Sequence, residues 1–218
     1  MFRPAAPRPP RLGAALSQYR RRAPYYDFEL ALFEPLRRKA VERLGLQEGE
    51  AVLDTGCGTG LSFGLLHDGV GPRGRITGIE PCPEMSAQAR QRVSQQGWRN
   101  VTLLDAAAED VTPGASADAA LFMFTHDVLT TPRALANVLQ GLRPGARIVA
   151  CGLQWTRSWA WPLNALVLGA ALHSVSSLAG LDAPWRPLTD RLDNPRVDGL
   201  LAGAVYLASG ALRSTHPC

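Results

Sequence analysis

A short apolar strand that runs into three glycines spaced two apart leaves few folds open. The segment is Ala51-Val52-Leu53-Asp54-Thr55-Gly56-Cys57-Gly58-Thr59-Gly60. Glycine at every second position lets the backbone turn sharply and keeps Cβ atoms away from a ligand. A strand ending in such a turn, with a helix after it, puts that ligand at the carboxyl edge of a parallel sheet. The pattern is G-x-G-x-G; the third glycine of a dinucleotide-binding G-x-G-x-x-G would fall at Leu61. No Lys-Ser or Lys-Thr pair follows, so a phosphate-cradling P-loop has no support. An acid at Asp54 suits a ligand end that carries an amine better than one that carries phosphates.

The chain beyond the loop alternates between buried strands and helices. Leu61 to Leu66 begins a helix, and Gly69 to Gly74 is a turn-rich break. Arg75-Ile76-Thr77-Gly78-Ile79 reads as a second strand, ending in Glu80. A helix over 83–96 leads to a third strand at Asn100 to Leu104. Asp118 to Phe124 is a fourth strand, too continuously apolar to be half-exposed, and it runs into Thr125-His126-Asp127. A helix from Pro132 to Leu142, the turn Arg143-Pro144-Gly145 and a fifth strand to Cys151 close the unit. This alternation predicts an α/β fold, a doubly wound Rossmann-like sheet.

The motif Val52 to Gly60 resembles, almost letter for letter, the first motif of the class I S-adenosylmethionine-dependent methyltransferases. Glu80-Pro81-Cys82-Pro83-Glu84-Met85 is similar to their continuation after the second strand. The resemblance covers residues 45–151 firmly and 196–211 loosely. It implies a mostly parallel sheet with an antiparallel edge hairpin, for which Arg196 to Leu201 and Ala204 to Ser209 are the candidates. It also implies S-adenosyl-L-methionine as cofactor. Asp54, Gly56, Cys57, Gly58 and Gly60 would hold its methionine end, Glu80 its ribose hydroxyls, and Met85, Ala108 and Glu109 the adenine, with Thr125 completing the set. The sequence departs from the pattern after the third strand, where Ala107 stands in the place of an adenine-binding Asp; either Asp105 or Glu109 is a substitute acceptor or the adenine amino group faces water.

A chain of 218 residues fits one catalytic domain with a substantial core. Four cysteines at 57, 82, 151 and 218 lack C-x-x-C spacing and read as reduced thiols, consistent with a cytoplasmic protein and no metal site. There is no apolar leader and no run of about 20 apolar residues. Residues 1–43 carry ten Lys/Arg against four acids, whereas the rest of the chain has thirteen against fifteen. Residues 1–43 therefore form a basic arm with a cap helix, partly disordered around Pro4 to Pro10, ahead of a domain at 44–218. The arm is a solvated tail or a contact for an anionic membrane surface, with nucleic acid the less favoured partner.

Two segments point to the acceptor. Ala23-Pro24-Tyr25-Tyr26-Asp27 is similar to an element that packs over the active site in many members of the family, placing Tyr25 or Tyr26 near the sulfonium. The insertion at 152–195 holds four of the five tryptophans, Trp155 among them, and an apolar helix from Pro162 to Leu181. A lid of that composition suits a small hydrophobic or amphipathic acceptor, or a lipid. Methyl transfer is an in-line displacement, so a base is needed only for a hydroxyl or a protonated amine. His126, at the tip of the fourth strand, is the candidate catalytic residue. The Asn/Asp-Pro-Pro-Tyr/Phe signature of amino-directed DNA and glutamine methyltransferases is absent. Pro81-Cys82 follows the wrong strand for cytosine C5 chemistry. A non-catalytic cofactor-binding partner, and an RNA or protein methyltransferase docking through the arm, remain the alternatives.

Overall fold

The computed structural model describes residues 33–111, 116–156 and 180–214. Seven strands form one sheet in the order β3-β2-β1-β4-β5-β7-β6. Strands β1 (Ala51–Thr55), β2 (Arg75–Ile79), β3 (Val101–Leu104), β4 (Ala117–Met123) and β5 (Leu142–Leu153) are parallel to one another. The hairpin β6 (Leu192–Leu200) and β7 (Val205–Leu212) adds antiparallel to β5. The doubly wound architecture expected from the alternation is therefore present.

Alternation along β1 assigns the two faces. Val52 belongs to one buried cluster and Leu53 to the other. Helices α1 (Glu34–Leu44), α2 (Phe63–Val70) and α3 (Pro83–Gln96) cover the Val52 face through Leu36, Ala40, Leu44, Phe63, Leu66 and Ala89. Helices α4 (His126–Thr130), α5 (Pro132–Gln140) and α6 (Arg186–Thr189) cover the Leu53 face through Leu129, Leu135, Val138 and Leu188.

Helix α1 starts with a proline in its first turn and ends on Gly45, a left-handed cap at φ +57° whose N–H reaches the Glu42 carbonyl. It runs antiparallel to the central strands. At its start the Phe33 ring meets Phe124 just beyond β4, and at its end the Leu44 carbonyl accepts a hydrogen bond from Arg147 of β5 at 2.7 Å. The first turn of α1 thus lies at the carboxyl edge of the sheet.

Three boundaries differ from the sequence reading, each for a local reason. Ala117 pairs with Leu142, so the Pro144-Gly145 turn becomes an excursion inside a longer β5 and the register shifts there. Strand β6 starts at Leu192, with an irregularity across Asn194 and Pro195; proline is tolerated because β6 is the edge strand. Strand β4 stops at Met123, and His126 opens a short helix instead of extending the strand.

Candidate active site

In this strand order the chain reverses direction across the sheet between β1 and β4, and the site lies at their carboxyl ends. The glycine loop is stitched to β2: the N–H groups of Gly56 and Cys57 both donate to the Ile79 carbonyl, at 2.8 and 3.1 Å. Gly56 sits at φ +66°, and a Cβ there would come within 2.4 Å of Thr125 Cγ2. Glycine is thus required both by the backbone and by the closeness of Thr125.

Glu80 joins the two loops. Its Oε2 accepts the Gly58 N–H at 3.0 Å and its Oε1 the Cys82 N–H at 2.8 Å. Burial pushes its carboxyl up to about 7, against the lowering effect of those two amides. Each oxygen keeps a further lone-pair direction for a ligand hydroxyl.

Asp54 is 1% exposed, and burial raises its carboxyl to about 7; Arg37 opposes that rise and Glu80 adds to it. Its Oδ2 has no hydrogen-bond partner among the described residues, and neither do Thr55 Oγ1 and Thr125 Oγ1. Three buried orphan oxygens at the ends of adjacent strands are costly unless something polar meets them. A ligand with an ammonium group fits that need, so the site passes a chemical test for the methionine end of S-adenosylmethionine.

On the β3 side, Met85 and Ala108 are buried and Glu109 is half-buried. Asp105 is already engaged by the Ser86 hydroxyl and by Arg90 at 2.7 Å, and these two donors hold its carboxyl below the usual range. The Asn137 amide on α5 donates to the carbonyls of Ala108 and Val111, tying the loop after β3 to the opposite face.

On the β4 side, Phe124 adopts φ +56°, a strained state for an aromatic residue, while its N–H bonds the Cys151 carbonyl at 2.8 Å. Thr125 stands at the start of α4, and its carbonyl accepts the amides of Val128 and Leu129. His126 follows, 6% exposed, with its carbonyl holding the Thr130 hydroxyl at 2.8 Å. Half-buried Phe33, Met123, Phe124, Leu153 and Leu200 give this edge an apolar rim.

Trp155 continues from β5, and its backbone N–H bonds the Leu181 carbonyl at 2.9 Å. Trp185 packs against the core on the Leu53 face, with its indole N–H on Gln154 Oε1 at 3.1 Å. Tyr25, Tyr26, Trp159, Trp161 and nearly all of the apolar stretch from Pro162 to Leu181 lie outside the described residues.

Sequence reasoning missed Arg37. Counted there among the charges of the basic arm, it is 3% exposed. The signal was present: Arg37, Val41 and Leu44 recur at helical spacing on the apolar stripe of α1.

Residues 52–145 match the model of a methyltransferase domain. The chain is 31% identical over 160 residues to the demethylmenaquinone methyltransferase of Tropheryma whipplei, covering 72% of this chain and 65% of that protein. It is 36% identical over 128 residues to the aklanonic acid methyltransferase of Streptomyces sp. strain C5, covering 57% of each. The chain thus spans two thirds or less of these relatives' length. In fold it resembles an N-methyltransferase from Bradyrhizobium japonicum solved with S-adenosyl-L-homocysteine (TM-score 0.68, 19% identity, 92% of this chain and 99% of that one). Residues 52–145 thus carry a methyltransferase domain, and in fold the chain is similar to S-adenosylmethionine-dependent methyltransferases.

Proposed function

We propose that the protein transfers a methyl group from S-adenosylmethionine to a small apolar or amphipathic acceptor of the quinone-like or polyketide kind. The observation that carries the reading is the pairing of Asp54, buried with an unmet oxygen, with Glu80, braced by two amides at the neighbouring strand end. The acceptor class rests on the apolar rim beside β4 and β5 and on the names of the two curated relatives.

The cofactor, when bound, supplies an electrophilic methyl on a sulfonium. Asp54 and Thr55 would hold its ammonium end, and Glu80 its ribose hydroxyls. Met85 and Ala108 would enclose the adenine, with Glu109 at its open side. Gly56, Cys57, Gly58 and Gly60 would let the loop approach closely, with Thr125 facing Gly56 from the start of α4. Phe33, Phe124, Leu153 and Trp155 would exclude water and align an apolar acceptor, which is where most of the rate enhancement of a displacement arises. Tyr25 and Tyr26, outside the described residues, are our choice for acceptor contacts on the family resemblance of Ala23 to Asp27 alone. For a hydroxyl or protonated-amine acceptor, His126 would take the proton.

Transfer of labelled methyl into a host-cell extract, partitioned between organic solvent and water, tests the reading. We expect label in organic-soluble small molecules. Label confined to protein or RNA would overturn the acceptor class and favour docking through the basic arm. Intact binding of S-adenosylhomocysteine with no transfer to any fraction would favour a non-catalytic partner.

A further inference from the structure

We infer that Arg37 is a positioning residue for the cofactor site: buried in the first turns of α1, it supplies a counter-charge to Asp54, the residue that receives a ligand ammonium. The inference rests on the proposed role of Asp54 at the methionine end.

Among the described residues, Arg37 is the sole buried arginine. A guanidinium withdrawn from water is costly unless charge or hydrogen bonds compensate it. Its direct partner is Glu34 Oε2, one turn earlier on the same helix, and that carboxylate is about a third exposed. Arg37 and Asp54 lie on the same side of the sheet. Asp54 is two residues past Val52, and Val52 packs in one cluster with Leu36, Ala40, Val41 and Leu44 of α1. The start of α1 is at the carboxyl edge, where Asp54 ends β1. Among the described residues, the guanidinium acts on Asp54 and on Cys151 of β5, and in both it opposes the effect of burial.

The charged and titratable groups around Asp54 have opposing signs. Glu80 beyond β2 works against its ionisation, Cys57 in the glycine loop is held as a neutral thiol by burial, and Arg37 from α1 is the cation acting on it. Without Arg37 the carboxyl would keep its proton further into the neutral range, and a protonated acid is a poor partner for an ammonium. Glu34 competes with Asp54 for the same guanidinium from a position near solvent. A helix outside the matched domain at 52–145 thereby sets the charge of a residue inside it.

The test follows the Asp54 carboxyl carbon by NMR in the full-length ligand-free protein labelled with ¹³C-aspartate, with Asp54→Asn to assign the signal. Arg37→Met should raise the titration midpoint by about one unit or more. Arg37→Lys should hold it near the wild-type value, and Glu34→Gln, at the partly exposed helix start, should lower it. Calorimetry with S-adenosylhomocysteine should then show an affinity loss in Arg37→Met of about tenfold at pH 6.5 that shrinks at pH 8.5. An unmoved midpoint in Arg37→Met, with binding reduced equally at every pH, would reduce Arg37 to a packing role and overturn the inference. If Arg37→Met does not fold, an unmoved midpoint in Glu34→Gln overturns it in the same way. No binding by the wild-type protein at any pH would overturn the cofactor role of Asp54 and this inference together; binding with unmoved midpoints would overturn the inference alone.

Discussion

Asp54 and Glu80 are both buried carboxyls whose folded-state values are raised to about 7 from ordinary values near 4. Between those limits the folded protein binds more protons than the unfolded chain, so stability falls as pH rises. The ligand-free protein should therefore be more stable at pH 5 than at pH 8, by roughly 3 kcal/mol for each carboxyl at most. Urea unfolding at the two pH values measures the difference. Asp54→Asn keeps the shape and removes the charge. It should narrow that pH dependence and stabilise the ligand-free protein at pH 8, while weakening S-adenosylhomocysteine binding by about 1–3 kcal/mol. Greater stability with poorer binding is the signature of a residue retained for its ligand. A variant that loses stability at pH 8 and binds normally would contradict the assignment.

Among the described elements, the β6–β7 connection holds two adjacent strained residues. Leu201 and Ala202 both sit in the left-handed region, at φ +48° and +53°, and Leu201 is 58% exposed. The turn is pinned at the carboxyl edge: the Gln154 N–H bonds the Ala204 carbonyl at 2.9 Å and its side-chain amide bonds the Gly203 carbonyl at 3.0 Å. Left-handed backbone costs a residue with a Cβ about 1 kcal/mol or more. Ala202→Gly should therefore raise stability by about 0.5–1 kcal/mol by thermal or chemical unfolding, with no change in cofactor affinity. An outcome of zero or below would mean that the left-handed state is not strained there. The short helix α4 has a comparable consequence. On a strand, His126 and Asp127 would point to opposite faces, whereas in a helix they are offset by about 100°.

In the molecule as a whole, α1 is part of the core, although it lies ahead of the matched domain. Leu44 is fully buried, and Leu44→Ala should cost about 2–5 kcal/mol by chemical unfolding. Arg43 also ties the helix to the edge strand, pairing with Asp198 of β6 at 2.9 Å. Both partners are about a quarter exposed, so a double-mutant cycle on that pair should return no more than about 1 kcal/mol. A large coupling beside a small Leu44 effect would mean that charge, not packing, anchors the helix. No helix among the described residues is long and apolar enough to cross a membrane.

The sequence by itself determined the alternation of strands and helices, the glycine loop, and the position of Glu80 at the tip of β2. These signals are local: hydrophobic period, turn residues and a motif read within about 30 residues. Strand limits at β5 and β6 were less legible, because a turn signal inside a strand becomes a bulge only when a partner strand pairs on both sides of it. Tertiary structure alone decided which charges are buried. Arg37 and Arg38 are adjacent on one helix, yet the first is 3% exposed and lies in the field that acts on Asp54, while the second is solvent-exposed. Composition counts both as arm charges, and only the packing of α1 on β4 and β5 separates them. The engagement of Asp105 by Ser86 and Arg90 depends in the same way on α3 lying beside β3. A charge acts according to what excludes water around it, and that is set by distant segments meeting in space.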